Sequence, residues 1–380
     1  MENSTTSNSK EGKLGMSFNI CHIITTIDLG GAEKQLLTLA SFQRQSGDHI
    51  EVIFLKDNPR LLKEFLDAGV EINTSFSSLS FFQQILRLRK KTKDHKTVFH
   101  AHLPRAELLC AFALPKKSFI ATRHNAEAFF PKGPRLASIL LSRYVLHRAS
   151  ASISISRAVT EYLISSHELS PAQINYVIHY GLQRTKVTTR GSSKEVKKVV
   201  QLGTVSRLVP QKNLVLLLES LQILRKSGSF DFRLSIVGIG PDKDELSTVA
   251  KKLSIDDAVE WVGQLTETET FYQGLDIFIL SSNYEGFGLV LLEAMLQGVP
   301  IVARRVSAIP EVLGMKHPGL LDTSTPQEMA GRVKEIITNP NLLSEVLIHQ
   351  RKQLAEFSIE KTYRLHSVIY AKMINSAPNQ

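Results

Sequence analysis

The sequence has very little cysteine, only Cys21 and Cys110 in 380 residues. Two thiols so far apart in the chain make neither a disulfide framework nor a zinc-ligand spacing, and both read as small buried apolar side chains of a reducing compartment. No run of about 18 apolar residues occurs, so no helix is expected to span a bilayer. The first fifteen residues are polar and lack the apolar core of an export signal, so 1–15 reads as a disordered tail and the protein as cytoplasmic. There is no short-period repeat, and low complexity is confined to the tail and one later linker. Aromatic–basic interleaving and recognisable nucleic-acid modules are also missing, which argues against a nucleic-acid partner.

What remains is a soluble globular composition, 43% hydrophobic and 22% charged, on a chain long enough for two domains of about 150–200 residues each. The formal net charge is +10. One basic cluster, Arg87, Arg89, Lys90, Lys91 and Lys93, directly follows Phe81, Phe82, Ile85 and Leu86. That segment predicts a short amphipathic helix with a cationic end. It is either a solvated helix with its apolar side in the core, or a contact for anionic lipid headgroups at about 1 kcal/mol per basic residue.

Short apolar runs alternate with longer amphipathic stretches. Strands are expected at 18–24, 50–55, 97–101, 118–122, 151–155 and 175–179, with helices at 32–45, 60–68, 105–113, 135–148 and 157–166 between them. Apolar runs without strict alternation suit strands covered on both faces, as in a parallel sheet. The stretch 183–198, rich in Thr, Ser, Lys and Gly, reads as a linker. Strands then resume at 199–205, 233–237, 259–262, 277–280 and 300–303, with helices at 213–226, 242–253 and 288–297 and three more before the end. The expected organisation is a first domain at 16–182, a second at 199–357, and a terminal helical segment at 358–380 packing back toward the first. Two doubly wound α/β units would face each other across a cleft at the carboxyl ends of their strands.

Several loops at expected strand ends carry chemistry. In Glu285-Gly286-Phe287-Gly288-Leu289, ahead of a helix bearing Glu293, the turn offers unpaired amides and the positive end of a helix dipole, an anion site. Glu285 is placed to accept hydrogen bonds from hydroxyl groups. Arg207 and Lys212 share the loop after the first strand of the second domain, where two cations can stabilise a departing diphosphate without a metal. Gly30 and Gly31 open the first helix and permit close approach of a ligand. Thr122-Arg123-His124-Asn125 ends a strand of the first domain. His100 and His102, flanking Ala101, are expected on opposite strand faces, which argues against a shared metal. Asp242-Lys243-Asp244 follows Gly238-Ile239-Gly240-Pro241. Its acids fit the first turn of a helix better than a metal site.

The frame Glu-Gly-Phe-Gly, then Glu293-Ala294-Met295, then Gly298-Val299-Pro300 resembles the signature of the retaining glycosyltransferases of family 4, and the resemblance extends over nearly the whole chain past the tail. It implies a GT-B fold of two Rossmann-like domains, with the nucleotide-sugar donor in the second and the acceptor in the first. It further implies that Glu285 contacts donor sugar hydroxyls, that Glu293 binds the ribose, and that Arg207 and Lys212 bind the diphosphate. His124 would contact the donor sugar across the cleft. Gly30, Gly31, Gly238, Gly240, Gly286, Phe287, Gly288 and Leu289 would border the donor, and His102, Arg123 and Asn125 the acceptor. The activity implied is transfer of a hexosyl or N-acetylhexosaminyl group, with retention and without metal or other cofactor, to a saccharide or lipid-linked acceptor. The setting would be surface polysaccharide or glycolipid biosynthesis at the cytoplasmic face of a membrane. The chain departs from the family pattern at Ser206, at Tyr180-Gly181-Leu182-Gln183 and at Ser307-Ala308. A sugar-nucleotide epimerase of similar architecture is the alternative. A dinucleotide dehydrogenase is disfavoured because Thr26 to Gly31 lacks Gly-x-Gly-x-x-Gly.

Overall fold

The computed structural model describes residues 17–91, 97–131, 133–170, 172–183, 199–323 and 325–375. The expected tail, nearly all of the expected linker and Lys93 lie outside the described residues. The first domain contains β1 (Asn19–Ile24), β2 (His49–Phe54), β3 (Glu71–Asn73), β4 (Thr97–His102), β5 (Phe119–Arg123), β6 (Ala151–Ser154) and β7 (Asn175–Val177). They pair in the order β3-β2-β1-β4-β5-β6-β7. The second contains β8 (Val199–Val205), β9 (Asp231–Val237), β10 (Val259–Gly263), β11 (Ile277–Leu280), β12 (Ile301–Arg304) and β13 (Leu320–Leu321), in the order β10-β9-β8-β11-β12-β13. The strand pairs are parallel. β11, with the sequence Ile-Phe-Ile-Leu, is buried along its whole length, as a strand covered by helices on both faces must be.

The strand order reverses between β1 and β4 in one sheet and between β8 and β11 in the other. Ligands of open α/β sheets bind at such switch points, beyond the carboxyl ends of the strands. The loops that follow β1, β8 and β11 are those carrying Gly30–Gly31, Arg207–Lys212 and Glu285–Gly288. Among the described strands and α-helices, four were not expected from the sequence: β3, β13 and the helices Glu269–Gly274 and Ile309–Leu313. At two to six residues each, they are too short to display a period.

An apolar cluster joins the domains, uniting Leu146, Ile155, Val159 and Leu163 of the first with Phe287, Leu291 and Phe357 of the second. The helix Ile359–Asn375 leaves the second domain and packs on the first, where Ile369 and Tyr370 share a core with Ile20, Val52 and Ile120. Gly181 permits this return. A Cβ there would lie 2.6 Å from the Ser358 carbonyl oxygen and 2.7 Å from Ile359 Cα.

The basic amphipathic segment is the helix Phe81–Lys91, with Gln84 and Leu88 buried. Its cationic end is less free than expected. Lys91 pairs with Glu51 at 2.8 Å, and Arg89 donates to the Phe112 carbonyl at 2.9 Å. Its apolar side is also divided, because Phe82 and Leu86 face solvent.

Candidate active site

Between the domains lies a cavity of about 530 Å³ whose walls include Gly30, Gly31, His124, Asn125, Arg207, Lys212, Gly238, Glu285, Gly286, Phe287, Gly288, Leu289 and Glu293. Residues from both domains and from widely separated parts of the chain therefore converge on one space of ligand size.

The two loops of the second domain are laced together by hydrogen bonds. Asn283 N–H donates to the Gln211 carbonyl at 2.8 Å, and the Gln211 amide donates to the Tyr284 carbonyl at 3.0 Å. Ser281 donates to the Lys212 carbonyl at 2.8 Å, and Arg304 reaches the Ser282 carbonyl at 3.1 Å. Within this frame Lys212 Nζ lies 2.7 Å from Glu285 Oε1, an oxygen that also accepts from Ser282 Oγ at 2.6 Å. Both partners are nearly buried. Charge-assisted bonds of this length hold the lysine and the carboxylate in fixed places. Arg207 donates to Gln211 at 3.2 Å and so is turned along the same loop. Ser307, one of the departures from the family pattern, takes a left-handed conformation at φ 50° and donates to the Glu285 carbonyl at 2.7 Å.

Gly288 adopts φ 93° as the residue before helix Leu289–Leu296, a conformation that favours glycine. The first amides of that helix have no partner within it and border the cavity together with Arg207 and Lys212. Gly286 meets the opposite domain. A Cβ there would lie 2.6 Å from the His124 carbonyl oxygen and 3.2 Å from Asn125 Cα. Ser156 of the first domain adds a hydrogen bond to the Gly286 carbonyl at 2.7 Å, and Glu311 of the second accepts from the amides of Arg157 and Ala158 at 2.8 Å each. Hydrogen bonds to the ionised form hold Glu311 below the ordinary carboxyl range despite its burial. Glu293, just over one turn along its helix, accepts from Tyr272 at 2.9 Å and from Thr268 at 3.3 Å. These bonds aim a helical carboxylate into the cavity.

Other sequence-predicted residues are placed differently. Gly240 does not border the cavity. A Cβ there would lie 2.1 Å from the Leu208 carbonyl oxygen, so its smallness serves loop packing. Gly30 is close to the carboxylate of Glu33, and a Cβ on Gly31 would lie 3.2 Å from Leu289, so these glycines make room for neighbouring side chains as well as for a ligand. The Phe287 ring packs among Tyr180, His179 and Phe357 at centroid distances of 5.1, 5.7 and 5.7 Å, which makes it an anchor for its loop. Arg123, expected at the acceptor, turns away from the cavity. It is buried, 3.0 Å from Glu107 and stacked over Phe129 at 4.4 Å. His102 is likewise buried outside the cavity wall. Asn125 is exposed there and donates to Glu127 at 2.8 Å.

The expectation for His100 and His102 is corrected outright. Residues two apart on a strand share a face, and the two rings stand together with centroids 4.2 Å apart. His124 borders the cavity, but its Nε2 is 3.1 Å from His102 Nδ1 and its Nδ1 contacts the Tyr180 hydroxyl. Both of its ring nitrogens are thus committed inside the protein. Burial pushes His124 down to about 3 and His22 to about 4, and holds His100 and His102 well below the usual range, so all four are neutral at pH 7.

Four polar cavity residues escaped the sequence reading: Lys34, Glu127, Gln264 and Thr268. Burial raises Glu33 above the ordinary carboxyl value. Glu127 stands two residues beyond Asn125 in one loop, and that proximity was the available signal. The Asp242–Asp244 pair lies at the start of helix Lys243–Lys252 and outside the cavity wall.

Comparison with known proteins follows the same division into halves. The family model for "Glycosyltransferase Family 4" matches residues 29–184, and that for "Glycosyl transferases group 1" matches residues 186–354. The chain belongs to the family 4, group 1 glycosyltransferases and has their GT-B fold. It is 32% identical over 160 residues to an uncharacterised glycosyltransferase of Haemophilus influenzae, a match covering 42% of this chain and 45% of that one, so it spans under half of that relative. It is 26% identical over 365 residues to the lipopolysaccharide core biosynthesis mannosyltransferase LpsB of Rhizobium meliloti, covering 91% of this chain and 95% of the other. In three dimensions it resembles Anabaena Alr3699/HepE in complex with UDP and glucose, with a TM-score of 0.78 and 19% identity over 93% of this chain and all of that one. These similarities give the epimerase reading no support.

Proposed function

We propose that the protein is a retaining, metal-independent glycosyltransferase that moves a hexosyl or N-acetylhexosaminyl group from a nucleoside diphosphate sugar to a saccharide or lipid-linked acceptor. The observation that carries this reading is the convergence of Arg207, Lys212 and the first amides of helix Leu289–Leu296 on one cavity that also holds Glu285 and Glu293. UDP-sugars are the first donors to test, since the Anabaena neighbour holds UDP and glucose. A role in surface polysaccharide or glycolipid assembly is supported by the similarity to LpsB.

In this mechanism the acceptor oxygen bonds to the anomeric carbon on the face from which the diphosphate departs. The bond from that carbon to the leaving phosphate oxygen breaks, and the acceptor proton passes to that oxygen. The protein's task is positioning and electrostatic stabilisation. Lys212 is paired with Glu285 at 2.7 Å. An incoming diphosphate competes for the ammonium, and the freed carboxylate turns to the sugar hydroxyls. Glu293, oriented by Tyr272, accepts from the ribose. No step requires a metal, because fixed cations and helix amides meet the developing charge.

The same reading places the acceptor at an anionic membrane surface. Leu136, Leu140 and Tyr144 recur every four residues on helix Arg135–Arg148 and are exposed. Phe112 lies 5.4 Å from Tyr144 and 6.4 Å from Phe81 at the ring centroids, linking them to exposed Phe82 and Leu86. Arg87 and Lys90 are exposed on the same helix as Phe82 and Leu86, a combination suited to acidic headgroups over hydrocarbon.

The test is a donor screen measuring nucleoside diphosphate release from UDP-, GDP- and ADP-sugars, with a panel of lipid-linked saccharides as acceptors. Acceptor-dependent release with an α-linked product from an α-donor is expected. An inverted product would overturn retention, and conversion of the donor sugar without transfer would overturn the transferase reading.

A further inference from the structure

Beside the cavity runs a buried polar chain that the proposed chemistry does not use. The Tyr180 hydroxyl contacts His124 Nδ1. His124 Nε2 lies 3.1 Å from His102 Nδ1, and His102 Nε2 lies 2.9 Å from His22 Nδ1. His22 Nε2 ends this series 2.9 Å from Oε1 of Gln43. The Gln43 amide nitrogen donates to the Tyr370 hydroxyl at 3.3 Å, on the returning terminal helix. Tyr370 then meets His100 Nδ1 at 2.9 Å, and His100 Nε2 meets Thr122 at 2.6 Å.

Proton positions along this chain follow from one group. A neutral imidazole has one donor and one acceptor, and an amide oxygen only accepts. His22 must therefore donate through Nε2 and accept at Nδ1. His102 then donates through Nε2 and accepts at Nδ1, and His124 does the same. The acceptor left at His124 Nδ1 requires the Tyr180 hydroxyl as donor. On the other branch, Tyr370 accepts from Gln43 and donates to His100, which donates to Thr122. Every bond is satisfied without a charge.

Two other uses of this cluster fail on the same geometry. Ring nitrogens of His22, His100 and His102 lie within 4.8 Å of one another. However, all six ring nitrogens of these residues already have protein partners, and a zinc ion at 2.0–2.1 Å would have to break several bonds at once. A proton conduit needs an outlet, whereas the branch beyond Gln43 closes on buried Thr122. What the chain transmits is orientation.

We propose that Gln43 and Tyr180 are positioning residues at the two ends of a buried tautomer relay. Gln43 fixes His22, His102 and His124 as Nε2–H imidazoles. His124 then holds the Tyr180 hydroxyl, and Tyr180 sets its ring edge-on against Phe287 in the loop of Glu285. The functional part of this inference rests on the donor-loop reading above.

Selective ¹⁵N labelling of histidine in the full chain, with long-range ¹H–¹⁵N spectra assigned by single substitutions, tests the relay directly. His22, His102 and His124 are expected to share the neutral Nε2–H form at pH 7. Gln43→Glu favours an imidazolium at His22, whose second N–H faces His102, so His102 and His124 are expected to switch to Nδ1–H. Where that variant does not fold, Tyr180→Phe serves, with His124 Nδ1 expected to shift as it loses its donor. Tyr180→Phe is also expected to slow donor hydrolysis about tenfold while UDP affinity stays within about twofold, the size of one lost hydrogen bond acting on position alone. Mixed tautomers, an imidazolium in the wild type, or a His124 signal indifferent to both substitutions would overturn the relay. Wild-type turnover in Tyr180→Phe would overturn its positioning role. If the wild-type protein releases no nucleoside diphosphate from UDP-, GDP- or ADP-sugars while the tautomers behave as described, the donor reading fails and the relay stands.

Discussion

Lowering the pH from 7.0 to 5.5 should destabilise this protein sharply, and the sign follows from where its histidines sit. His22, His100, His102, His124, His317 and His366 are buried, and burial lowers each below the ordinary value of 6.5; those with resolved values lie at about 3 to 4. A group with a lowered value binds its proton more tightly in the unfolded chain. Stability is therefore present above the unfolded value and is lost as pH falls toward the folded one. At pH 5.5 an unfolded histidine is about nine-tenths protonated while a buried one remains neutral, a difference of about 1.2 kcal/mol per residue relative to pH 7. Six such residues come to about 7 kcal/mol. Glu107, raised by burial to about 7, runs the opposite way and returns about 1.6 kcal/mol over this interval. Glu33 and Asp48, also raised by burial, act in the same direction as Glu107. Set against Glu107 alone, the histidines leave a net loss of about 5 kcal/mol, which Glu33 and Asp48 reduce further; it is a large share of a typical 5–15 kcal/mol and corresponds to roughly 10 °C in melting temperature. Thermal melts at pH 7.0 and 5.5, at constant ionic strength, measure it. A midpoint that moves by less than about 3 °C would refute the argument that these rings are held neutral.

Lys212→Ala and Arg207→Ala should each lower turnover about 10²-fold, the size of one removed transition-state contact, with the melting temperature near wild type for Arg207→Ala and lowered for Lys212→Ala, which leaves the buried Glu285 unpaired; near-normal rates in both would remove the leaving-group argument. Gly286→Ala should cost turnover and open the domain seam, since its methyl would lie 2.6 Å from the His124 carbonyl oxygen, and small-angle scattering with a kinetic assay would detect both. Treatment with a chelator should leave activity unchanged, and loss restored by manganese would contradict the metal-free mechanism. Sedimentation with vesicles should require acidic lipid and weaken with salt, and Leu140→Asp should reduce it; equal binding to neutral vesicles would refute charge-assisted docking.

The sheets and most helices were legible because their apolar runs are long enough to show a period, and the cleft loops because each follows a buried strand at a switch point. The Glu285 and Lys212 loops, expected to face the cleft, both line the cavity. Their direct ion pair was not foreseen, since sequence separates the two residues by 73 positions and pairing depends on the β8–β11 adjacency. Arg123 was misplaced for a related reason. Its strand ends beside the cavity, but its side chain finds Glu107 at 3.0 Å on a neighbouring helix, and a buried guanidinium follows its carboxylate.

The histidine chain was the larger omission, and part of it could have been derived. His100 and His102 lie two apart on a strand, so they must share a face. In the observed register β1 places His22 opposite His100 and Ile24 opposite His102, which brings the third ring onto the same face. Gln43 falls on the helix that follows β1, and a right-handed crossover returns that helix to the sheet. Only Tyr370 and Tyr180 needed the folded structure, one because it arrives on the returning helix and the other because it closes the chain at the cavity. Core polar groups of this kind are tolerated only when every member is satisfied. A sequence that spends four histidines and a glutamine on one buried face is therefore constrained at all five positions together. Replacing Gln43 should be felt at His124, three rings away, before it is felt by any nearer apolar neighbour.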